Sequence, residues 1–298
     1  MTQPNGSESA PKIGPAVAAA AADLVADAER ATPTDSCTSI DVRVLDFEGL
    51  ANAVRAGQLT REAARAEWDR REAERSAELA ARRAAEQAAT EAATRAAAVE
   101  ASWSRTGIPP RHAARVEELR HSAGPWAQVY GQLRSRLDSG FIVGLIGSRG
   151  TGKTAVAACL CREVCEAHPA MEPAYRLTPP ALYVRAVDIF RRVRDTYRRE
   201  CDETEADVIR ALVAPRLLVI DEAHERGHSE FENRVLVEVI DRRYGEMDRD
   251  VLLIANMDKV AFAESVGNSI VSRMQECGRV VVCEWSSFRT PAAAEGKH

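Results

Sequence analysis

Short apolar runs alternate with amphipathic stretches between residues 141 and 285, and this alternation is the main structural signal of the chain. The apolar runs predict buried strands and the stretches between them predict helices. Strands separated by helices are typical of a parallel sheet covered on both faces. We therefore expect an α/β fold with a five-stranded parallel sheet, its strands at Phe141–Ile146, Ala181–Val187, Leu217–Ile220, Val251–Ala255 and Arg279–Trp285, and helices at 188–200, 233–244 and 266–276. Further helices, separated by Gly124-Pro125, are predicted between His112 and Leu137.

The first hundred residues follow a different pattern. Residues 1–40 are rich in Ala, Pro, Ser and Thr and are expected to be mostly disordered. A short helical module is predicted at Val42–Ala56. From Thr60 to Ser102 the chain is almost entirely Ala, Arg and Glu, with Glu and Arg three or four residues apart, which predicts a long exposed helix without a coiled-coil seam. Such a helix is either a solvated spacer or a surface that engages a partner protein, and the sequence leaves both open.

Two consecutive prolines, Pro109 and Pro110, mark the main domain boundary because they cannot continue the long helix. We therefore predict four regions: a disordered segment at 1–40, a helical spacer or partner-binding region at 41–106, an α/β domain at 107–289 and a flexible tail at 290–298.

A glycine-rich loop, GSRGTGKT, follows the first strand and precedes a helix. This is the spacing and the context of a phosphate-binding P-loop. Glycines let consecutive N–H groups point at a phosphate, and the helix N-terminus adds partial positive charge. Lys153 is expected to reach the β and γ phosphates and the Thr154 hydroxyl to ligate Mg²⁺. ATP and Mg²⁺ are the predicted cofactors, and the predicted nucleotide-binding residues are Gly147, Ser148, Arg149, Gly150, Thr151, Gly152, Lys153, Thr154 and Ala155.

The third strand ends in two carboxylates, as a Walker B strand requires. Asp221 is the predicted second Mg²⁺ ligand, and Glu222 is placed to polarise water for attack on the γ phosphate. Asn256, at the end of the fourth strand, is a candidate contact to the γ phosphate or to that water, and its simpler alternative is a turn residue. Arg273, before the last strand, is a candidate arginine finger or a surface arginine. Together these residues predict ATP hydrolysis.

The tetrapeptide DEAH at 221–224 invites a helicase interpretation. Helicases of that kind need two RecA-like cores, and too few residues follow Asp221 for a second one. We interpret the match as chance.

The predicted helix at 188–200 is strongly basic. Arg191, Arg194 and Arg198 fall on one helical face, and Phe190 and Tyr197 lie nearby. Arginines with an aromatic neighbour suit single-stranded DNA, through phosphate contacts and base stacking. The equally open alternative is a solvated amphipathic helix whose core residues are Ile189, Phe190, Val193 and Tyr197.

Bulk properties narrow the class of protein. The net charge of −5 excludes an overall basic coat for nucleic acid, though not a local basic patch. No apolar run approaches the roughly 20 residues of a membrane span, and the N-terminus is not a signal peptide. Seven cysteines without a disulfide framework favour a reducing cytoplasm. The cluster of Cys159, Cys161 and Cys165 is expected to consist of buried packing thiols.

Residues 103–289 resemble the DnaC/IstB group of AAA+ ATPases, and within it the DnaC-type replicative helicase loaders of bacteria and phages. The motifs that carry the resemblance are GSRGTGKT, VDIFRRVRDTYR, LLVIDE, ENRVLVEVIDRRY, LLIAN, SRM and EWSSFR. It implies an AAA+ P-loop NTPase core, with Asn256 as sensor 1 and Arg273 as a finger acting on a neighbouring subunit. It also implies self-association, an N-terminal region that grips a hexameric helicase, and a role for 188–200 in ring assembly and single-stranded DNA.

The chain departs from the family pattern in three places. Its N-terminal Ala/Arg/Glu helix is not matched to the family's helicase-binding region, and His224 stands where many relatives have a small residue. Little of the sequence follows the fifth strand, so the usual helical lid is not expected and no sensor 2 arginine is assigned.

The resulting prediction is an ATP-dependent DNA replication protein that binds a replicative helicase, assists its loading onto single-stranded DNA and hydrolyses ATP to reset the assembly. An IstB-like ATPase helper of a DNA transposase is the alternative. A P-loop kinase of small molecules and a nucleotide-gated adaptor without turnover are weaker alternatives, because the Walker B pair, Asn256 and Arg273 indicate hydrolysis.

Overall fold

The computed structural model describes residues 42–170, 178–225, 227 and 229–286. The predicted disordered segment at 1–40 and tail at 290–298 lie outside these residues. The chain divides into two compact units with a boundary between Thr90 and Glu91. The limits 41–106 and 107–289 stay predictions.

The first unit is helical. A short 3₁₀ turn precedes α1 (Phe47–Arg55), which the Asp46 carboxylate caps at Gly49 N over 2.8 Å. The long helix α2 (Arg61–Ser104) begins in this unit and continues past the boundary at Thr90. Trp68 on its second turn packs edge-on against Phe47 with ring centroids 5.0 Å apart. Beyond this contact α2 is largely exposed. The predicted helical N-terminal region is confirmed, and no helix within the described ranges has the length and apolar character to cross a membrane.

The second unit is built on a five-stranded sheet in the order β2-β3-β4-β1-β5, and every recorded strand pair is parallel. The central strand β1 pairs with β4 at Ile142↔Val251 and with β5 at Val143↔Arg279. This is the predicted AAA+ P-loop NTPase core. The strands are β1 (Ile142–Ile146), β2 (Ala181–Arg185), β3 (Leu217–Asp221), β4 (Asp250–Ile254) and β5 (Arg279–Val282).

Helices cover both faces of the sheet, as the continuous burial of its central strands requires. In β1, Val143 and Leu145 contribute to one apolar cluster, and Ile142 and Ile146 to the other. The first cluster receives α3 (Pro110–Ala113), α4 (Val116–Arg120), α5 (Pro125–Arg134) and α6 (Lys153–Ala167). The second receives α7 (Ala186–Asp195), α8 (Glu205–Val213), α9 (Glu230–Tyr244), α10 (Lys259–Val266) and α11 (Asn268–Cys277).

The boundary between β2 and α7 differs from its prediction. The strand ends at Arg185 rather than Val187, and α7 covers Ala186–Asp195 rather than 188–200. The alternation in ALYVRAV resembles a strand, but Ala186, Ile189, Phe190 and Val193 recur at helical spacing and are all buried, so the core selects the helix. Beyond Asp195 the chain continues in turns.

Two helices were missed by the prediction. Both are short and are marked mainly by their N-caps, which apolar periodicity does not detect. Thr204 and Asp207 form a reciprocal capping box at the start of α8, and the Asp258 carboxylate accepts from Val260 and Ala261 N–H at the start of α10. The predicted β5 is also too long, since regular pairing ends at Val282.

Cys159, Cys161 and Cys165 are fully buried in α6, which confirms them as packing thiols. Burial raises the pKa of the Cys159 and Cys165 thiols to about 12.

A buried arginine joins the edges of several elements. Arg243, on the last turn of α9, has no exposed surface. Its guanidinium donates five hydrogen bonds of 2.6–3.0 Å to main-chain carbonyls, those of Leu212, Val213, Pro215, Arg216 and Asp250. The Arg243 guanidinium therefore connects the end of α8 to the starts of β3 and β4 through hydrogen bonds.

Candidate nucleotide-binding site

The loop between β1 and α6 has the backbone that a phosphate cradle needs. Gly147 has φ +124° and lies so close to the end of β5 that a Cβ there would come within 2.5 Å of the Cys283 carbonyl. Gly152 has φ +87° and is the N-cap of α6. Both positions favour glycine, so the loop can direct its N–H groups and the helix N-terminus to one point.

Two side chains brace this loop. Lys153 is buried, and its Nζ donates to the carbonyls of Gly147 and Ser148 over 2.9 and 2.8 Å. On the β5 side, the Trp285 indole N–H donates to the Thr151 carbonyl over 2.7 Å. Sequence reasoning gave Trp285 no role in the site, although it belongs to the EWSSFR motif that carries the family resemblance.

Thr154 and Asp221 are brought together, as the P-loop and Walker B predictions require. The Thr154 hydroxyl donates to Asp221 Oδ2 over 3.0 Å. Oδ2 also accepts from the Tyr183 hydroxyl over 2.6 Å, and Oδ1 accepts from the Glu222 N–H over 2.7 Å. Tyr183 was missed by sequence reasoning, which placed it only on a strand.

The donor set at this point fits Mg²⁺. A hydroxyl and a carboxylate are hard oxygen ligands, and Mg²⁺ commonly uses one or two carboxylates with water and substrate phosphates. The described part of the chain contains no group of three or more His, Cys, Asp or Glu side chains able to hold a metal by themselves. A metal bound here would thus depend on the nucleotide for further ligands.

Glu222 adopts an unusual backbone conformation for a residue with a side chain, with φ +55°. Positive φ in a residue other than glycine costs of order 1–3 kcal/mol and often marks a functional position. Burial raises the pKa of the Glu222 carboxyl, and the negative charges of Glu225 and Asp221 raise it further. A raised pKa suits a carboxylate that takes a proton near neutral pH.

Lys153, Thr154, Asp221 and Glu222 line one cleft of about 670 Å³, within the size range of small-molecule sites. Asn256 also lines it, so the structure brings this predicted residue to the P-loop, Asp221 and Glu222. The cleft continues along residues that sequence reasoning used only to mark a domain boundary and the helices after it; these are Arg111, His112, Arg115, Leu119 and Trp126.

His224 connects the two strand ends beside the cleft. The Asn256 backbone N–H donates to His224 Nδ1 over 3.4 Å. On the other side of the ring, Nε2 lies 3.6 Å from Glu225, which pairs with Arg149 of the P-loop over 3.2 Å. Burial lowers the pKa of His224, which favours the neutral ring that can accept at Nδ1.

The structure does not bring Arg273 to this cleft. Its guanidinium pairs with Asp241 over 2.9 Å, donates to Ser269 and lies over the Tyr244 ring. The assignment of Arg273 to a neighbouring subunit's nucleotide stays a prediction.

The DNA-contact prediction for Phe190 is wrong. Phe190 is 1% exposed because it lies on the core face of α7, and it cannot stack on a base. Arg198 lies beyond the end of α7, so the predicted continuous helical face does not exist. The exposed aromatic residue here is Tyr197, which packs edge-on against Phe231.

The three arginines of the DNA-contact prediction each have more than half of their side-chain area exposed. Each has an acidic partner: Arg191 pairs with Asp188, Arg194 with Glu232, and Arg198 with Asp195, over 3.2, 2.8 and 3.1 Å. A DNA phosphate would have to compete with these carboxylates.

Comparisons with known proteins agree with the nucleotide site. A family model described as IstB-like ATP binding protein matches residues 136–290, more than half of the chain. The replicative helicase loader DnaC of Escherichia coli (strain K12) is 25% identical over 198 residues, which cover 64% of this chain and 76% of DnaC.

Two solved structures are also similar. A crystal structure of the DnaC helicase loader has a TM-score of 0.42 at 15% identity, covering 55% of this chain and 93% of that one. A crystal structure of a DNA replication initiation factor has a TM-score of 0.45 at 17% identity, covering 59% of this chain and 50% of the other.

Proposed function

Because the chain belongs to the family of IstB-like ATP binding proteins, we propose that it is an ATP-dependent DNA replication protein. It binds a hexameric replicative helicase, assists its loading onto single-stranded DNA in the cytoplasm, and hydrolyses ATP to reset the assembly. The observation that carries the proposal is the hydrogen bond between Thr154 and Asp221 beside the P-loop. The similarity to a replicative helicase loader supports the choice of partner.

The P-loop residues 147–155 bind the ATP phosphates, and Lys153 exchanges its carbonyl partners for phosphate oxygens. Thr154 and Asp221 hold Mg²⁺, which when bound neutralises charge that develops on the phosphates. Glu222 accepts a proton from the attacking water, and Asn256 orients that water or the γ phosphate. The products are ADP and phosphate.

Self-association of the ATPase unit completes the site. Arg273 serves the nucleotide of a neighbouring copy, where a guanidinium stabilises transition-state charge. It must leave its pair with Asp241 to do so, so we propose that assembly and this exchange occur together.

Single-stranded DNA binds across Arg191, Arg194 and Arg198. Exposed arginines provide phosphate contacts, and the ring of Tyr197, 59% exposed, offers a base-stacking surface beside them.

The first test is ATP turnover with and without single-stranded DNA, in the wild type and in the Arg191→Ala, Arg194→Ala, Arg198→Ala triple variant. Single strands are expected to stimulate the wild type, and the triple variant is expected to lose most of that response at about 100 mM salt. In the matched control variant, alanine replaces three exposed arginines of α2 that also pair with carboxylates, namely Arg65, Arg75 and Arg82. It removes the same charge and should keep the stimulation.

Other outcomes separate the alternatives. Stimulation by duplex DNA only favours an IstB-like helper of a transposase. Equal loss in both triple variants contradicts a specific DNA surface at α7, and no response to either DNA contradicts DNA-dependent turnover.

We predict that His224 positions Asn256 for hydrolysis. His224→Asn keeps an acceptor near the position of Nδ1, whereas His224→Gln moves the amide towards the position of Nε2. The turnover number is expected to fall about tenfold in the glutamine variant, because one hydrogen bond contributes roughly 1.4 kcal/mol, which corresponds to a factor of ten. In the asparagine variant it is expected to stay within about threefold of the wild type. Steady-state turnover and KM for ATP measure both. Equal losses in the two variants would contradict the role of Nδ1.

A further inference from the structure

We propose that Tyr183 is a positioning residue that holds the Asp221 carboxylate in the orientation required for Mg²⁺. This inference rests on the proposed function, because it assigns a supporting group to the metal site formed by Thr154 and Asp221. Tyr183 itself touches neither the metal nor the nucleotide in this proposal.

The backbone places the two side chains together. Tyr183 is opposite Val219 in the β2–β3 pairing, two residues before Asp221 on β3, so both side chains lie on the same face of the sheet. The Tyr183 ring belongs to the apolar cluster under that face, and its hydroxyl reaches Asp221 Oδ2 over 2.6 Å. Such a short bond between a phenol and a carboxylate is typical of a charge-assisted hydrogen bond.

The Tyr183 backbone is held on its outer side. Its N–H donates to the Thr106 carbonyl over 2.7 Å. Gly107, with φ +79°, approaches the Tyr183 carbonyl so closely that a Cβ there would lie 2.6 Å from the oxygen. Because the segment at 106–107 fixes this part of β2, the phenol cannot follow Asp221 if the carboxylate turns.

The hydrogen bonds of Asp221 define one orientation. An ionised carboxylate has about four acceptor positions. Three of them are used, by the hydroxyls of Tyr183 and Thr154 on Oδ2 and by the Glu222 N–H on Oδ1. The remaining position on Oδ1 is therefore the one available to a metal or a metal-bound water, and rotation of the carboxylate would break the Tyr183 bond.

The phenol remains a donor at physiological pH. A tyrosine hydroxyl ordinarily keeps its proton at this pH, so it can donate to the carboxylate. Groups that orient metal ligands in this way typically change metal affinity by about 10- to 100-fold when they are removed.

The test is Tyr183→Phe, which deletes only the hydroxyl. The affinity of a fluorescent ADP analogue is measured with Mg²⁺ and with EDTA, and the ratio of the two affinities reports the metal contribution without turnover. In the variant this ratio is expected to fall about tenfold or more while the affinity in EDTA stays within about twofold. Tyr130→Phe is the matched control, because Tyr130 is also buried and donates to a carboxylate, that of Glu163, on α6.

The outcomes are distinct. An unchanged ratio in Tyr183→Phe, or an equal loss of affinity in Mg²⁺ and EDTA, overturns the inference while the proposed nucleotide site stands. If Mg²⁺ does not strengthen binding in the wild type, the proposed metal site fails, and the inference fails with it. Combining Tyr183→Phe with Asp221→Asn provides a second measurement: no further fall of the ratio beyond Asp221→Asn is expected, and an additive fall overturns the inference.

Discussion

Replacing Arg243 with methionine is expected to lower the free energy of unfolding by about 4 kcal/mol or more. Methionine fills much of the volume but removes the guanidinium from five main-chain carbonyls, of which that of Arg216 keeps the Asp250 N–H as a second donor. A buried acceptor without a partner costs roughly 1–3 kcal/mol, and water entry will relieve part of that cost. Since domains unfold with about 5–15 kcal/mol, this one change removes a large share of the total. Urea unfolding followed by circular dichroism measures the loss.

The neighbouring residue provides the control. Arg242 is exposed and pairs with Glu238 one helical turn away over 2.7 Å, so Arg242→Met should cost about 0.5 kcal/mol or less. Arg243→Lys keeps the charge but cannot reach all five carbonyls with three donors, and should be nearly as unstable as the methionine variant. Similar stabilities for Arg242→Met and Arg243→Met would contradict the structural role of the buried cation.

Glu222→Gln is expected to reduce ATP turnover by about 10²–10⁴-fold, because glutamine cannot accept the proton of the attacking water. The affinity for ATP should stay within a few-fold, since the P-loop, Thr154 and Asp221 are unchanged. Phosphate release under single-turnover conditions and equilibrium binding of a fluorescent ATP analogue measure the two effects separately.

Glu238→Gln makes the same chemical change on the surface of α9 and should leave turnover unchanged. If Glu222→Gln hydrolyses ATP at the wild-type rate, Glu222 is not the base. If the wild type and the Glu222→Gln variant both bind ATP but neither hydrolyses it, the nucleotide-gated adaptor becomes the better description.

Structural features that are determined by residues close together in the sequence could be predicted from the sequence. The P-loop, the acidic end of β3 and the five strands are local patterns, and the structure contains all of them, although β2 and β5 are shorter than predicted. Asn256 was also predicted correctly to lie beside the P-loop, because the carboxyl ends of parallel strands meet at one edge of a sheet. Its role as a sensor stays a prediction.

Features that depend on distant partners could not be predicted. Phe190 has the same sequence context whether it faces DNA or the core, and only the packing of α7 on β2 and α8 decides. Tyr183 and Asp221 are separated by 38 residues and His224 and Asn256 by 32, so no short motif joins them. Arg243 appears in sequence as one half of an Arg-Arg pair on an amphipathic helix, and its burial depends on carbonyls from two other parts of the chain.

The position of β1 in the sheet has a consequence for synthesis. Its two neighbours are β4 and β5. The first residue to pair with Ile142 is therefore Val251, which is synthesised 109 residues later. At about 5–20 residues per second, translation leaves this apolar strand unpaired for roughly 5–20 seconds. Pairing over such a separation gives the domain a high contact order and slows its folding. A nascent chain that ends before β4 therefore carries the complete phosphate-binding motif without any strand to support it.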